Sequence, residues 1–366
     1  MASIKEITAH LECLAPLGYQ ESYDNAGLLV GNPKTEVTGI LVSLDCTEEV
    51  IEEALQQGCN LVVAHHPIVF RGLKKFTGKT YVERTIIKAI KHDVAIYATH
   101  TNLDNVWGGV NSKICQKLGL QDCKILAPKK DTLLKLTSFV PTEYTKRVLD
   151  SLYAAGAGQI GNYKNCSFSV IGTGTFMPTG NANPHIGSIN KQEEVLENRI
   201  EVIFTAVQQS SVLQALKTAH PYEEVAYYLS TLLNENQEVG SGSIGFLSHE
   251  MSQEIFLNYL KNQMNLQVIR HTKFLNKPVK KVAVCGGAGG FLLNDAIRQG
   301  ADVFITADYK YHEFFDADGQ LIICDIGHYE SEVFTKELIL SYLTKKFTNF
   351  AILLSDVNTN PIQYFV

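Results

Sequence analysis

The segment NLVVAHHP, at residues 60–67, decides the fold of this 366-residue chain. Four apolar residues, Leu61 to Ala64, stand between polar neighbours, and a run of this kind predicts a short strand that is buried on both faces. Two histidines end the strand, and Pro67 biases His66 towards an extended backbone. The segment therefore predicts a buried strand whose end carries polar chemistry.

The surrounding residues repeat this strand in a regular alternation with helices. TGILVSLDC (38–46) and VAIYATHTNLDN (94–105) read as further strands, while EEVIEEALQQG (48–58) and YVERTIIKAIKHD (81–93) have helical periodicity. Residues 247–366 follow the same style, with strands in KKVAVCGG, ADVFITAD, QLIICDIG and FAILLSD. Strands that alternate with helices predict an α/β domain with a mostly parallel sheet.

The middle of the chain, about 127–245, has another order. Its strands and helices succeed one another as β-α-β and again β-α-β, which is the split pattern of a ferredoxin-like α+β sandwich. Polar segments that resemble linkers, LAPKKD and NENQEVGSGSIG, flank it. We therefore predict a discontinuous α/β core domain, residues 1–126 and 246–366, interrupted by an inserted domain at 127–245.

Composition limits the classes of protein to consider. Hydrophobic residues make up 45% and charged residues 19% of the chain, as in a folded globular protein. A net charge of −6 makes nucleic acid an unlikely partner, and no apolar run is long enough to span a membrane. The eight cysteines form no CxxC pairs, so we expect reduced thiols and a cytoplasmic location.

Polar residues stand where the predicted strands end. Such positions include Asp45, the pair His65 and His66, and then His100 and Asp104. In the second half, Asp308 ends one strand and His328 follows another. Because ligands bind beyond the carboxyl ends of parallel strands, we expect these side chains to converge at one sheet edge.

Five of these side chains form a candidate metal site. If His65 and His66 are extended, they point to opposite sides and can serve two neighbouring ions, although a merely polar strand terminus is the alternative. His328 and Glu332 are four residues apart as a helix begins, which places them on one face. Asp104 supplies a hard anionic ligand, although NLDN alone would indicate a turn.

The predicted ligand set has consequences for the chemistry. Three histidines and two carboxylates are few ligands for two ions, which implies bridging and open coordination positions, as in catalytic sites. Nitrogen and oxygen ligands suit two divalent ions of Zn²⁺, Mn²⁺, Fe²⁺ or Co²⁺ without choosing among them.

Several other motifs have a structural and a functional interpretation. VCGGAGG (284–290) predicts a tight strand-to-helix turn, and a phosphate loop is the weaker alternative. YDNAGLLVG (23–31) is either a turn or a loop that lines the site. HPYEE (220–224) is either a helix C-cap or a functional group without an evident partner.

The motifs YDNAGLLVG, AHHPIVF, THTNLDN, GGAGG, ITADYKYHEFF and GHYESE, in this order, resemble the NGG-one-interacting-factor-three-like family, also named GTP cyclohydrolase I type II homologs. The resemblance implies two divalent metals, held by the positions that match His65, His66, Asp104 and His328, with the match to Glu332 bridging both. It also implies a toroidal homohexamer. GTGTFMPTGNANPHIG and HPYEEVAYY resemble the PII-like insert of the longer bacterial members.

These observations predict metal-assisted hydrolysis of a small molecule, with GTP or another nucleotide-like heterocycle as the substrate that the family name suggests. His312, Asp308 or His100 would shuttle protons. The alternative is a non-enzymatic, metal-dependent regulatory or binding module. An open metal site that faces a cavity of substrate size would favour the enzyme, whereas closed coordination would favour the regulator.

Overall fold

A computed structural model describes residues 2–365, which form two compact units. The core unit comprises the chain up to Pro128 and from Gln237 onward, and the insert comprises Lys129–Asn236. The second boundary lies earlier than the sequence suggested, at 236/237 instead of 245/246. The reason is that the segment after Gln237 enters a strand of the core unit.

Within residues 2–128, the chain forms strands β1 to β5 and helices α1 to α5. The strands are, in order, Gly27–Val30, Gly39–Ser43, Leu61–Ala64, Ala95–Ala98 and Gln121–Pro128. The helices are Ile4–Leu14, Glu48–Gln56, Tyr81–Lys91, Thr101–Asp104 and Val110–Lys117.

The insert contains four strands, β6 to β9, and two α-helices, α6 and α7, among its described residues. The strands are Leu133–Pro141, Phe168–Phe176, Glu193–Thr205 and Tyr227–Thr231. The helices are Thr145–Ala154 and Gln209–Ala219.

Residues 237–365 form strands β10 to β15 and helices α8 to α11. The strands are Gly240–Met251, Arg270–His271, Val279–Val284, Val303–Thr306, Ile322–Asp325 and Ala351–Leu354. The helices are Gln253–Gln263, Leu293–Arg298, His328–Glu332 and Thr335–Thr344.

The core unit has two sheets, which makes it a mixed α/β fold. The first sheet has the order β1-β4-β3-β2-β15, and all its pairings are parallel except β1 with β4. The second has the order β11-β14-β13-β12-β10-β5, and only β12, β13 and β14 run parallel. The prediction of a mostly parallel sheet therefore holds for the first sheet, except at β1, and for the centre of the second sheet. It is wrong for the outer strands of the second sheet, β11, β10 and β5.

The antiparallel edge strands are the elements that the sequence pattern did not reveal. Strands β5 and β10 lie side by side, but the insert connects them, so no crossover helix marks them in the sequence. The two-residue strand β11 is too short to have a period. The segment SEVFTKELILSYLTKKF, residues 331–347, has the sequence pattern of one long helix, but the structure divides it, because α10 ends at Glu332 and α11 begins at Thr335.

One hydrophobic core joins the two sheets of the core unit. Alternate residues of the first sheet, such as Val42 and Val63, are fully buried and belong to the same cluster as Val284 and Ile305 of the second sheet. The apolar faces of α1, α5, α8 and α11 complete this cluster. The sheets are thus fixed relative to one another, and residues at their strand ends can form one site.

The insert is a two-layer α+β unit with its own core. Its sheet has the order β7-β8-β6-β9, and every neighbouring pair is antiparallel. Both helices pack on one face, where Leu136, Val148, Ile200, Phe204 and Leu216 form a buried cluster. The second face carries no helix among the described residues of the insert.

Candidate metal centre

The histidine pair lies at the end of β3, at the centre of the first sheet. The chain leaves the strand at Ala64 and bends, because the backbone N–H groups of His65 and His66 both donate to the carbonyl of Leu44. An extended backbone would have placed the two rings on opposite sides, but the structure does not place them so. Their centroids are 4.9 Å apart, and both face the same carboxylate, Glu332.

Glu332 comes from the other sheet, at the end of helix α10 that follows β14. Gly327, with a φ of 91°, turns the chain into this helix. The four-residue spacing brings His328 Nε2 within 3.1 Å of Glu332 Oε2. The site is thus assembled from the strand ends of two sheets, whereas the sequence predicted one sheet edge.

The carboxylate of Glu332 is the centre of the cluster. It is 2% exposed, and its Oε2 lies 2.9 Å from His66 Nε2 and 3.1 Å from His328 Nε2. Its Oε1 lies 3.9 Å from His65 Nε2, which in turn is 3.5 Å from Asp104 Oδ1. One oxygen therefore faces His65 and Asp104, while the other faces His66 and His328.

Two buried atoms of this cluster have the properties of metal ligands. His65 Nε2 and Asp104 Oδ1 are inaccessible to solvent and make no hydrogen bond to any described residue. An unsatisfied buried polar atom is costly unless an ion or water satisfies it. His65, His66 and Glu332 can also each place one ligand atom within 4.8 Å of the others. The residues present therefore fit a divalent metal.

The protonation of His65 agrees with this fit. Its Nδ1 donates to the carbonyl of Thr99 at 2.8 Å, which leaves the lone pair of Nε2 facing the cluster. Burial lowers the pKa of His65 to about 4, so the ring is neutral near pH 7. A neutral imidazole with an outward lone pair is the form that binds metals.

His66 and His328 are held differently, each between two carboxylates. His66 Nδ1 lies 2.7 Å from Asp45 Oδ1, and His328 Nδ1 lies 2.7 Å from Asp308 Oδ2. Burial opposes a charge on both rings, but the hydrogen bonds to these acids and to Glu332 raise the pKa of His66 to about 10 and that of His328 to about 9. Each of these two rings thus carries a proton on Nε2, on the side that faces Glu332. A metal ion that binds there must displace these protons.

The two acids of the cluster respond in opposite directions. Burial alone would raise the pKa of Glu332, but hydrogen bonds from His328 and His66 hold it well below its usual range. Burial and the neighbouring charge of Glu332 raise the pKa of Asp104 well above its usual range. A divalent cation between these carboxylates would relieve their repulsion.

A large cavity opens at the cluster. It has a volume of about 910 Å³ and is lined by His66, Asp104, His328 and Glu332 together with His100. Exposed aromatic rings stand along its wall: Tyr23, Phe70, Tyr81 and Phe291. A cavity of this size accepts a small organic molecule.

His100 lies in this cavity with its own acidic partner. Its Nδ1 lies 2.8 Å from Asp24 Oδ1, and Asp24 also accepts a hydrogen bond from the backbone N–H of Thr101. Despite burial, the hydrogen bonds from His100 and Thr101 lower the pKa of Asp24 to about 2, so it is an anion. His100 is thereby oriented with Nε2 as its remaining nitrogen.

The three predicted proton shuttles have separate locations. His100 lines the cavity, and Asp308 contacts His328 at the edge of the cluster. His312 lies in a short 3-10 helix, Tyr311–Ala317, where its exposed ring contacts Tyr311 and Phe315. The structure therefore does not bring His312 to the cluster.

Two acids of the site, Asp24 and Asp45, were not assigned a role from the sequence. Asp45 has the strand-end position that marked the ligands, but no pattern around it indicated His66 as its partner. Asp24 lies in the YDNAGLLVG segment, for which a turn and a site-lining loop were both open. Its hydrogen bonds and the position of Tyr23 in the cavity wall fit the loop that lines the site.

The glycine-rich turn 286–290 contacts the cluster at Glu332. Gly287 donates its N–H to Ser331 Oγ and has a φ of +61°, and a Cβ there would lie 2.5 Å from Glu332 Oε1. Gly290, in the same turn, has room for a Cβ, with its nearest neighbour, a carbon of Tyr309, at 3.6 Å. The absence of a side chain at Gly287 therefore leaves room for the Glu332 carboxylate.

We expect Gly287→Ala to weaken metal binding at this site, since the methyl group must push the carboxylate aside and the left-handed φ costs about 1 kcal/mol. Gly290→Ala is the matched control and should retain its metal. Elemental analysis of both purified variants measures the effect. Full metal content in Gly287→Ala would contradict this role of Gly287.

No helix between residues 2 and 365 combines the length and apolar character that a membrane span requires.

Comparisons with known proteins agree with the motifs of the site. The family model of Duf34/NIF3 (NGG1p interacting factor 3) matches residues 2–361. A GTP cyclohydrolase 1 type 2 homolog of Halalkalibacterium halodurans is 42% identical over 347 residues, which is 93% of each chain. A protein of the same description from Bacillus subtilis is 37% identical over 366 residues and 98% of each chain.

Solved structures show the same fold. The crystal structure of a Bacillus cereus protein related to NIF3 aligns with a TM-score of 0.87 at 39% identity and covers 100% of this chain and 99% of its own. A Staphylococcus aureus protein aligns with a TM-score of 0.79 at 31% identity, over 100% of this chain and 99% of its own.

Proposed function

Because this chain belongs to the Duf34/NIF3 (NGG1p interacting factor 3) family, as its motifs predicted, we propose that it binds two divalent metal ions and acts as a metal-dependent hydrolase. The observation that carries the proposal is the shared carboxylate of Glu332. One oxygen faces His65 and the other faces His66 and His328. His65 and Asp104 would hold one ion, His66 and His328 the other, and Glu332 both.

The chain's own residues would supply binding, orientation and proton transfer. When bound, two divalent ions supply Lewis acidity that polarises a substrate and acidifies water. Asp45 and Asp308 fix the ring orientations of His66 and His328. His100, oriented by Asp24, would accept or deliver a proton at Nε2 to a molecule in the cavity.

The substrate class follows from the cavity and from the names of the relatives. Relatives are named GTP cyclohydrolase 1 type 2 homolog, which suggests a nucleotide-like heterocycle or another small molecule. The aromatic rings Tyr23, Phe70 and Phe291 offer flat surfaces for such a ring. Zn²⁺ is the first choice of metal for this ligand set, followed by Mn²⁺, Fe²⁺ and Co²⁺.

A non-enzymatic regulatory module is the second candidate. The all-antiparallel order β7-β8-β6-β9 of the insert supports a ferredoxin-like, PII-like assignment, and such domains suit a regulatory role. A closed metal site would favour this candidate. The 910 Å³ cavity at the cluster favours the enzyme instead.

The experiment is a screen of metal-loaded protein against nucleotides, phosphoesters and amides. We expect His65→Ala to reduce the turnover of any substrate found by about a hundredfold or more, because it removes a metal ligand. His249→Ala changes an exposed histidine of the same unit and should be unaffected. Equal activity of the two variants would refute a metal-dependent reaction at this site.

The assembly and compartment of the chain are also proposals. We propose a closed homo-oligomer, a hexamer by family resemblance, because soluble homo-oligomers usually have closed symmetry. Light scattering at micromolar concentration should report the hexamer mass, and a monomer would contradict it. The eight free cysteines support the reducing cytoplasm as the compartment.

A further inference from the structure

The insert contains a cavity of its own, and two segments that the metal centre does not use meet there. The cavity has a volume of about 690 Å³. The segment 172–187, GTGTFMPTGNANPHIG, and the segment 220–224, HPYEE, both contribute to its lining. Two segments about 40 residues apart in the chain thus build one concave site.

The cavity lies on the face of the insert's sheet that the helices leave uncovered. In β8, Ile200 and Val202 point into the buried cluster beneath α6 and α7. Side chains alternate along a strand, so Glu197 and Arg199 point to the opposite face. Both of them line the cavity. Loop residues, among them Met177 and Tyr222, complete the lining.

A buried carboxylate without a cationic partner is the unusual feature of this cavity. Glu197 is 7% exposed, and its Oε1 accepts a hydrogen bond from the hydroxyl of Tyr222 at 2.9 Å. Its Oε2 has no hydrogen-bond donor, and no Lys, Arg or His forms an ion pair with it, among residues 2–365. A buried carboxylate in this situation is stabilised when a cation or donor reaches it.

The backbone beneath Glu197 is shaped to receive its side chain. A Cβ at Gly174 on the neighbouring strand β7 would lie 2.2 Å from Glu197 Oε2. The missing side chain at Gly174 therefore lets the carboxylate lie flat against the strand at the floor of the cavity.

The remaining charges of the cavity also favour a cation. Glu223 and Glu224 line it, whereas its one lining guanidinium, Arg199, is paired with Glu201 at 2.6 Å. A metal ion is not the expected occupant. Among the described residues, the grouping of three or more metal-ligating side chains lies at His65, His66 and Glu332 in the core unit.

Aromatic rings form the walls around the carboxylate. Phe139 and Tyr228 are an edge-to-face pair with centroids 5.9 Å apart, and Phe176 and Tyr222 form a second such pair at 5.8 Å. All four line the cavity. Ring faces attract organic cations and accommodate flat apolar groups.

We propose that this cavity binds a small organic cation, an ammonium or guanidinium group on an aromatic or apolar body, through the carboxylate of Glu197. The charged group lies against Oε2, and the body of the ligand lies between the two aromatic pairs. This inference is independent of the metal centre and of the reaction proposed there.

The test uses the whole chain, a pair of probes that share one aromatic body and differ in charge, and a third, aliphatic cation. Tyramine carries an ammonium group, tyrosol replaces it with a neutral hydroxyl, and agmatine carries a guanidinium group on an aliphatic body. Calorimetric titration should show binding of tyramine and agmatine, and tyrosol should bind about tenfold more weakly than tyramine, or worse. No binding of either cation, or equal binding of tyramine and tyrosol, overturns the proposal.

Variants locate the site. Glu197→Gln keeps the size of the side chain and should weaken tyramine about tenfold or more while leaving tyrosol unchanged. Glu194→Gln, an exposed acid on the same strand, is the matched control. If Glu197→Gln does not fold, Tyr228→Ala removes an exposed wall ring instead and should weaken tyramine severalfold. Unchanged tyramine affinity in a folded Glu197→Gln or Tyr228→Ala protein overturns the proposal.

Discussion

Glu332→Gln should abolish the binding of both proposed metal ions. The substitution preserves the size of the side chain, but the carboxylate that faces three imidazoles becomes a neutral amide. Each ion would lose an anionic ligand at the same time, because the two oxygens of Glu332 face different histidines. We expect the metal content to fall from about two ions per chain to near zero.

Two further variants make this result specific. Glu330→Gln changes an acid in the same helix that contacts Asn360 and not the histidines, so it should keep both ions. Asp104→Asn should lose only the ion beside His65, because His65 is the one histidine of the three that Asp104 approaches. Elemental analysis, with circular dichroism as a check on folding, measures all three proteins. A Glu332→Gln protein that keeps one ion would exclude the bridging role.

The histidine pair shows how far local sequence reasoning reaches. The apolar run 61–64 and the two following histidines predicted the strand and its polar end, because both depend on neighbouring residues. The directions of the rings depend on the carbonyl of Leu44, the residue that follows the adjacent strand β2, because it accepts hydrogen bonds from both N–H groups. An argument from the alternation of an isolated strand could not include that contact.

The second sheet shows the complementary limit. Strands β12, β13 and β14 were predicted because each is an apolar run that precedes or follows a helix. Strand β10 has a polar, glycine-rich beginning, Gly240–Ser243, and its burial comes from β5 and β12 on its two sides. Because its burial comes from the neighbouring strands, this polar, glycine-rich segment resembled a linker in the sequence.

Because β10 begins at Gly240, the insert must be deleted before that residue if the second sheet is to stay intact. Gly240 is the direct pairing partner of Pro128 in the antiparallel β5–β10 ladder, so the two ends of the core chain already lie on neighbouring strands. The insert occupies the position of a hairpin loop. A chain that joins Pro128 to Gln237 through two or three glycines needs only a short turn, and loops of this length close readily.

We expect the chain joined at 128/237 to fold and to bind its metals, since all five proposed ligands and the lining of the 910 Å³ cavity belong to the core unit. The chain joined at 126/246, as the sequence alone suggested, should fail. It removes Gly240–Gly245, and with them the pairings of Ser243 and Ile244 with both β5 and β12. Ser241 and Gly242, which line the cavity, would also be lost.

Circular dichroism and elemental analysis of the two deletions decide between these boundaries. Removal of residues 240–245 takes away most of the pairing that holds β5 in the second sheet, together with the buried side chain of Ile244. The 126/246 chain should therefore aggregate, or unfold at a temperature lower by roughly ten degrees or more. If instead the 128/237 chain folds but binds no metal, essential groups come from the insert. If both chains bind metal equally, the second sheet does not depend on β10 for the support of His328 and Glu332.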